Sequence, residues 1–168
     1  MTTRNDTPEA LELAAGATRV VFTRSGDRWE HAVRLADGSV WQSVEGPAGE
    51  ASDPRWPASP PVVELSLVRI AAEPVLLGVG KAGRSHYSLS VSACQAEPDT
   101  LVFDLACRIQ EPAVWLGSTY ATAAGETCRL SADLGNAATA TIRWAYTAGP
   151  AGLRLRTQGG PAEAGGRV

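Results

Sequence analysis

Two glycine-centred turns sit inside one run of period-two alternation between Thr18 and Glu45. Gly26-Asp27 fits a two-residue type II′ loop with glycine first, and Asp37-Gly38 fits a type I′ loop. Both turn types match the twist of paired strands. With Ser25 opposite Arg28, Phe22 lies across from His31 and Val20 across from Val33. With Ala36 and Ser39 flanking the second loop, Leu35 faces Val40, Val33 faces Gln42 and His31 faces Val44. Both turns then assign one apolar face: Val20, Phe22, Trp29, His31, Val33, Leu35, Val40 and Val44. A slip of one residue would turn a strand inside out, so this agreement predicts a three-stranded meander.

The pattern continues downstream. Residues 46–61, GPAGEASDPRWPASPP, hold five prolines and can be neither a helix interior nor a central strand. They are expected to form an ordered loop crossing between two sheets. Strands are expected at Val62–Ile70 and Pro74–Val79, then a glycine-rich turn over Gly78–Arg84. In Ser85–Ser92, Tyr87, Leu89 and Val91 alternate with His86, Ser88, Ser90 and Ser92. Thr100–Ile109 places Leu101, Phe103, Leu105, Cys107 and Ile109 on one face. Val114–Leu116 reads as a short strand and Gly117–Tyr120 as a bend. Thr127–Leu130 is expected to pair with Thr139–Thr147, where Ile142, Trp144 and Tyr146 share a face, and Leu153 and Leu155 close the series. No helical period intervenes, so the fold class is all-β: a single-domain antiparallel β-sandwich, jelly-roll-like, with a partly closed β-barrel as the alternative. Residues 1–17 read as a polar N-terminal arm with a short helix over Pro8–Ala15, 18–157 as the single β domain, and 158–168 as a flexible tail.

Composition removes several functional classes. With 15 basic and 18 acidic residues, and the 14 Arg and one Lys scattered along the chain, no nucleic-acid partner is expected. Cys94, Cys107 and Cys128 lack the spacing of a zinc site, and their odd number does not suit a disulfide framework. No metal or cofactor is expected. No apolar run has the length of a signal peptide or membrane span, so a soluble, cytoplasmic protein without a membrane partner is expected.

The candidate sites are few. Five tryptophans in 168 residues form the most suggestive set. The meander register places Trp41 on the face opposite the core, across from Arg34, and Trp56 follows Arg55 in the proline-rich segment. Exposed Trp beside Arg can stack on a flat ligand or anchor a protein contact. Trp41, Arg34, Trp56 and Arg55 therefore define a ligand-binding candidate for a small molecule, a glycan or a protein partner. Lys81 and Arg84, in the glycine-rich stretch, are anion-binding candidates, although GVGKAGRS departs from the phosphate-loop pattern. His86 with Glu64 or Asp104 is the catalytic candidate, for a cofactor-independent hydrolase or isomerase. His31, on the apolar face, reads as a buried neutral histidine with one hydrogen bond. A binding module is favoured over an enzyme, and a self-associating structural subunit is the third reading.

Overall fold

A computed structural model describes residues 8–46, 53–136 and 138–157. Twelve antiparallel strands and no helix are present among them: β1 (Ala10–Ala15), β2 (Thr18–Ser25), β3 (Arg28–Arg34), β4 (Val40–Ser43), β5 (Glu64–Ile70), β6 (Glu73–Ala82), β7 (Ser85–Ala93), β8 (Leu101–Ile109), β9 (Gly117–Ala121), β10 (Thr127–Ser131), β11 (Ala140–Gly149) and β12 (Gly152–Leu155). Two six-stranded sheets form, ordered β1-β2-β3-β4-β9-β10 and β12-β11-β8-β7-β6-β5. Neither closes on itself, so the architecture is the sandwich and not the barrel. Each sheet consists of a four-strand meander extended by one later hairpin. No helix among the described residues is long and apolar enough to cross a membrane.

The core follows from alternation. Val20, Phe22, Trp29 and Val33 of the first sheet meet Leu76, Val91, Leu101, Phe103 and Tyr146 of the second, all nearly inaccessible to solvent. Phe22 pairs with His31 and Val20 with Val33, as the Gly26 turn requires. Gly26 has a φ of 62°, the left-handed value a type II′ loop needs at its first position.

The second turn departs from expectation. Leu35 N–H donates to Ser39 O and Gly38 N–H to Leu35 O, with Gly38 at φ 87°. The loop thus has three residues, Ala36 to Gly38, closed by a left-handed glycine. The register shifts by one, so that Val33 faces Trp41 and Arg34 faces Val40. Every β4 side chain is reversed: Trp41 and Ser43 turn toward the core, while Val40 is exposed and Val44 only half-buried.

The proline-rich segment crosses from β4 to β5, and residues 56–62 are buried between the sheets. Trp29 N–H donates to Val62 O, and Ser59 Oγ bridges the amide and carbonyl of Thr119. Room for this segment comes from β6. A Cβ on Gly80 would lie 1.8 Å from Pro61 O, and one on Gly78 would lie 3.0 Å from Val62 Cγ1. These glycines serve close packing inside a strand, so the expected turn over Gly78–Arg84 shrinks to Gly83-Arg84.

Three other expectations are corrected. Ala10–Ala15 is a strand, because pairing with β2 lets Leu13 and Ala15 bury against the core. Gly117–Tyr120 is strand β9 and not a bend, whereas Val114–Leu116 is irregular. β10 pairs with β9 through a short local turn, and β11 pairs with β8 and β12. Residues 1–7 of the expected arm, 47–52 of the crossover and 158–168 of the expected tail lie outside the described residues.

Ala71 and Ala72 join β5 to β6 with φ of 50° and 67°, conformations that L-residues adopt at a penalty of about 1–2 kcal/mol each. Ala71→Asn combined with Ala72→Gly should stabilise the fold by about 1–2 kcal/mol, read as a higher urea midpoint; an unchanged midpoint would contradict this turn geometry. Gly80→Ala should lower stability by about 3 kcal/mol or more, since the Pro61 backbone has no free space to yield.

Candidate functional site

The second sheet sends its large side chains inward and leaves a distinct set outward. Register stacks the outward residues into rungs. Lys81 pairs with His86, His86 with Arg108, and Arg108 with Thr141. The next rung holds Glu64, Val79, Ser88, Ala106 and Arg143, and the one after it Ser66, Leu77, Ser90, Asp104 and Ala145. Side chains directly opposite each other have Cβ atoms about 5 Å apart, and diagonal neighbours about 7–8 Å. Lys81 and Arg108 therefore flank His86 on both sides, and Arg143 lies diagonal to Arg108. Glu64 is the diagonal neighbour of Lys81.

Small side chains hollow out this face. A depression of about 550 Å³ is lined by Lys81, His86, Arg108, Arg143, Glu64 and Val79, with Ser88 and Ala106 among its other walls. A second, of about 460 Å³, shares Ser88, Ala106 and Arg143 and extends to Leu77, Ser90 and Asp104. The two form one open trough across the strands. The side chains of Lys81, His86 and Arg108 are exposed and enter no ion pair among the described residues. Lys81 and Arg108 stand on either side of β7, two strand spacings or about 10 Å apart.

The catalytic candidates share this face without meeting. Glu64 is two strands and two residues from His86, a backbone separation of about 12 Å; Asp104 is one strand and four residues away, about 14 Å. Parallel side chains so far apart do not reach hydrogen-bond distance, so this geometry forms no acid–base pair with His86. Cys107 is buried, and burial pushes its thiol up to about 11, away from nucleophilic reactivity.

The tryptophan candidates lie elsewhere. Trp56 is only 3% exposed and packs in the core. Arg55 is occupied: its Nε and Nη2 bond the Asp53 carboxylate and its Nη1 bonds Glu111 Oε2 at 3.0 Å. It clamps the crossover to the loop after β8. Trp41, half-buried on the inner side, and Arg34, exposed on the outer side, occupy opposite faces of the first sheet because of the three-residue loop. Arg84 is exposed in the turn just beyond the Lys81–His86 rung.

A second polar cluster is internal. His31 Nε2 lies 2.7 Å from Tyr120 Oη, which lies 2.6 Å from Tyr146 Oη. Phe22 stacks on the imidazole at 4.6 Å. Burial lowers the His31 pKa from 6.5 to about 3, so the ring is neutral, as its place on the apolar face predicts. Nearby, Ser43 Oγ accepts from the His31 amide and donates to Glu45 Oε1. Burial raises the Glu45 carboxyl from 4.5 to about 7, against the opposing effect of the Ser43 hydrogen bond.

Arg108 and Arg143 were absent from the expected sites. The Lys81–His86 pairing follows once β6 is extended to Ala82 and the turn is confined to Gly83-Arg84. The longer link before β8 leaves the place of Arg108 unspecified by local signals. Comparison with protein-family models, with curated proteins and with solved structures gives no match to this chain.

The two internal groups set opposing pH dependences. His31 binds a proton more readily unfolded than folded, so its contribution is complete above pH 6.5 and is lost by about 1.4 kcal/mol per pH unit as pH falls toward 3. Glu45 binds a proton more readily folded, so its contribution weakens as pH rises from 4.5 to 7. The two slopes oppose each other between pH 4.5 and 6.5, and below 4.5 His31 acts without that opposition. His31→Gln, which removes the titration, should abolish the acid-side slope it contributes when urea melts are compared across this range. Parallel curves for the two proteins would contradict the buried neutral imidazole.

Proposed function

We propose that this chain is a non-catalytic binding module that holds an anionic ligand on the outer face of its second sheet. The observation that carries the reading is the rung of Lys81, His86 and Arg108. Three donor-bearing side chains stand side by side without an ion pair among the described residues, over a floor of Ser88 and Ala106. An anion placed there accepts hydrogen bonds from an ammonium, an imidazole N–H and a planar guanidinium suited to two-point contact with carboxylate or phosphate. Arg143 adds positive charge from the adjoining rung. The outward residues of β6, β7, β8 and β11 include no Trp, Tyr or Phe, so charge and not ring stacking recognises the ligand.

This reading replaces the Trp41–Arg34 and Trp56–Arg55 surfaces. It retains Lys81 as an anion contact and gives His86 a binding role. The free thiols Cys94, Cys107 and Cys128 support placing the module in a reducing compartment, the cytoplasm.

Calorimetric titration with inorganic phosphate at low ionic strength should show saturable binding that weakens with added salt. Lys81→Gln combined with Arg108→Gln should weaken it about tenfold or more, which is about 1.4 kcal/mol. The same variant should melt close to the parent, because both side chains are exposed and enter no ion pair among the described residues. Absence of saturable binding, or binding indifferent to the double substitution, would overturn the proposal.

A further inference from the structure

The basic rung is one end of a longer, polarised surface. Among the large apolar side chains left exposed, Val63, Leu67, Ile70, Leu77 and Val79 all lie on or beside β5 and β6. Val79 is 49% and Leu77 38% exposed, and both point outward on the same face as the rung. Val63 and Val79 line the depression that holds Lys81, His86 and Arg108, and Leu77 lines its continuation. The trough therefore has cations at one end, an apolar flank along β6, and a floor of Ser88, Ala106, Ser90 and Ala145. Asp104 and Arg156 lie at the end away from the rung, and Glu64 lines the basic end.

Resting on the reading above, we infer that the ligand is an anionic amphiphile bound as a single molecule. Its acidic head sits at Lys81, His86, Arg108 and Arg143, and its apolar body lies along Val79 and Leu77. Charge sets the direction. At the opposite end the Asp104 carboxylate is accompanied by the single Arg156 guanidinium, whereas at the rung Lys81, Arg108 and Arg143 outnumber the one carboxylate, Glu64. Length follows from the register: four residues separate Lys81 from Leu77, so the body covers about 14 Å along the strand. Covering these side chains removes apolar surface from water, which stabilises the complex. A small hydrated anion leaves that contribution unused. The charge complementarity of rung and acidic head favours this occupant over a second apolar sheet, which would bury the cations against a surface offering them no partner.

The test compares decanoate, acetate and decanol by calorimetry, below the concentration at which decanoate forms micelles, with light scattering on the same samples. Decanoate should bind about tenfold or more tightly than either acetate or decanol, because only it engages both ends. Leu77→Ser should weaken decanoate binding toward the level of acetate while leaving acetate and phosphate unchanged; the side chain is exposed, and a thermal melt checks that the variant folds. Equal affinity for acetate and decanoate would overturn the amphiphile and leave the anion site standing. No binding of phosphate, acetate or decanoate would overturn both. Binding to phosphatidylglycerol vesicles without binding to free decanoate would overturn the single-molecule occupant in favour of a membrane surface. A dimer mass in the ligand-free protein, with decanoate excluded, would overturn it in favour of a second copy of the chain.

Discussion

The register among β6, β7 and β8 determines which chemistry this molecule presents to solvent. Antiparallel pairing through the two-residue turn at Gly83-Arg84 places Lys81 beside His86, and the next pairing places His86 beside Arg108. A slip of one residue would exchange the faces of a strand. It would bring Tyr87, Leu89 and Val91 to the surface and drive His86 into the space occupied by the core. Burial of those three side chains, and of Leu101, Phe103 and Leu105 on β8, makes such a slip prohibitive. The packing that stabilises the inner face thereby aligns the cations on the outer one.

The crossover reinforces this arrangement. Pro61 and Val62 lie against β6 where Gly78 and Gly80 carry no side chains, and Trp29 holds the Val62 carbonyl. Arg55, bound to both Asp53 and Glu111, ties the same segment to the loop that follows β8. At Gly78 and Gly80 the inner side of β6 is occupied by the crossover, and its outer side carries Leu77, Val79 and Lys81 in alternation. One strand thus supplies the apolar flank and one cation of the proposed site on its outer face, while its inner face carries Leu76 into the core and receives the crossover at Gly78 and Gly80.

Much of the fold was legible in the residues themselves. Alternation in Ser85–Ser92 and Thr100–Ile109 assigned both faces of β7 and β8, and Gly26 set the β2–β3 register. Asp37-Gly38 misled because a glycine at positive φ closes both a two-residue and a three-residue loop, and the two differ by one residue of register. That difference moved Trp41 from the outer to the inner side and separated it from Arg34. Trp56 was misread for another reason. Its neighbours are prolines and an arginine, which resemble surface residues locally, while its burial comes from the packing of the crossover into the core, which no local pattern encodes. The basic rung was half visible: Lys81 and His86 are joined by a tight turn, but Arg108 and Arg143 join them only through non-local pairing.

The central claim is that the outer face of the second sheet is the binding surface. Amide and side-chain NMR shifts recorded as inorganic phosphate is added test it residue by residue. The account predicts saturating changes at Lys81, His86, Arg108 and Arg143, with the first sheet unmoved. Changes centred on Arg34 and Val40, or confined to no one surface, would contradict it.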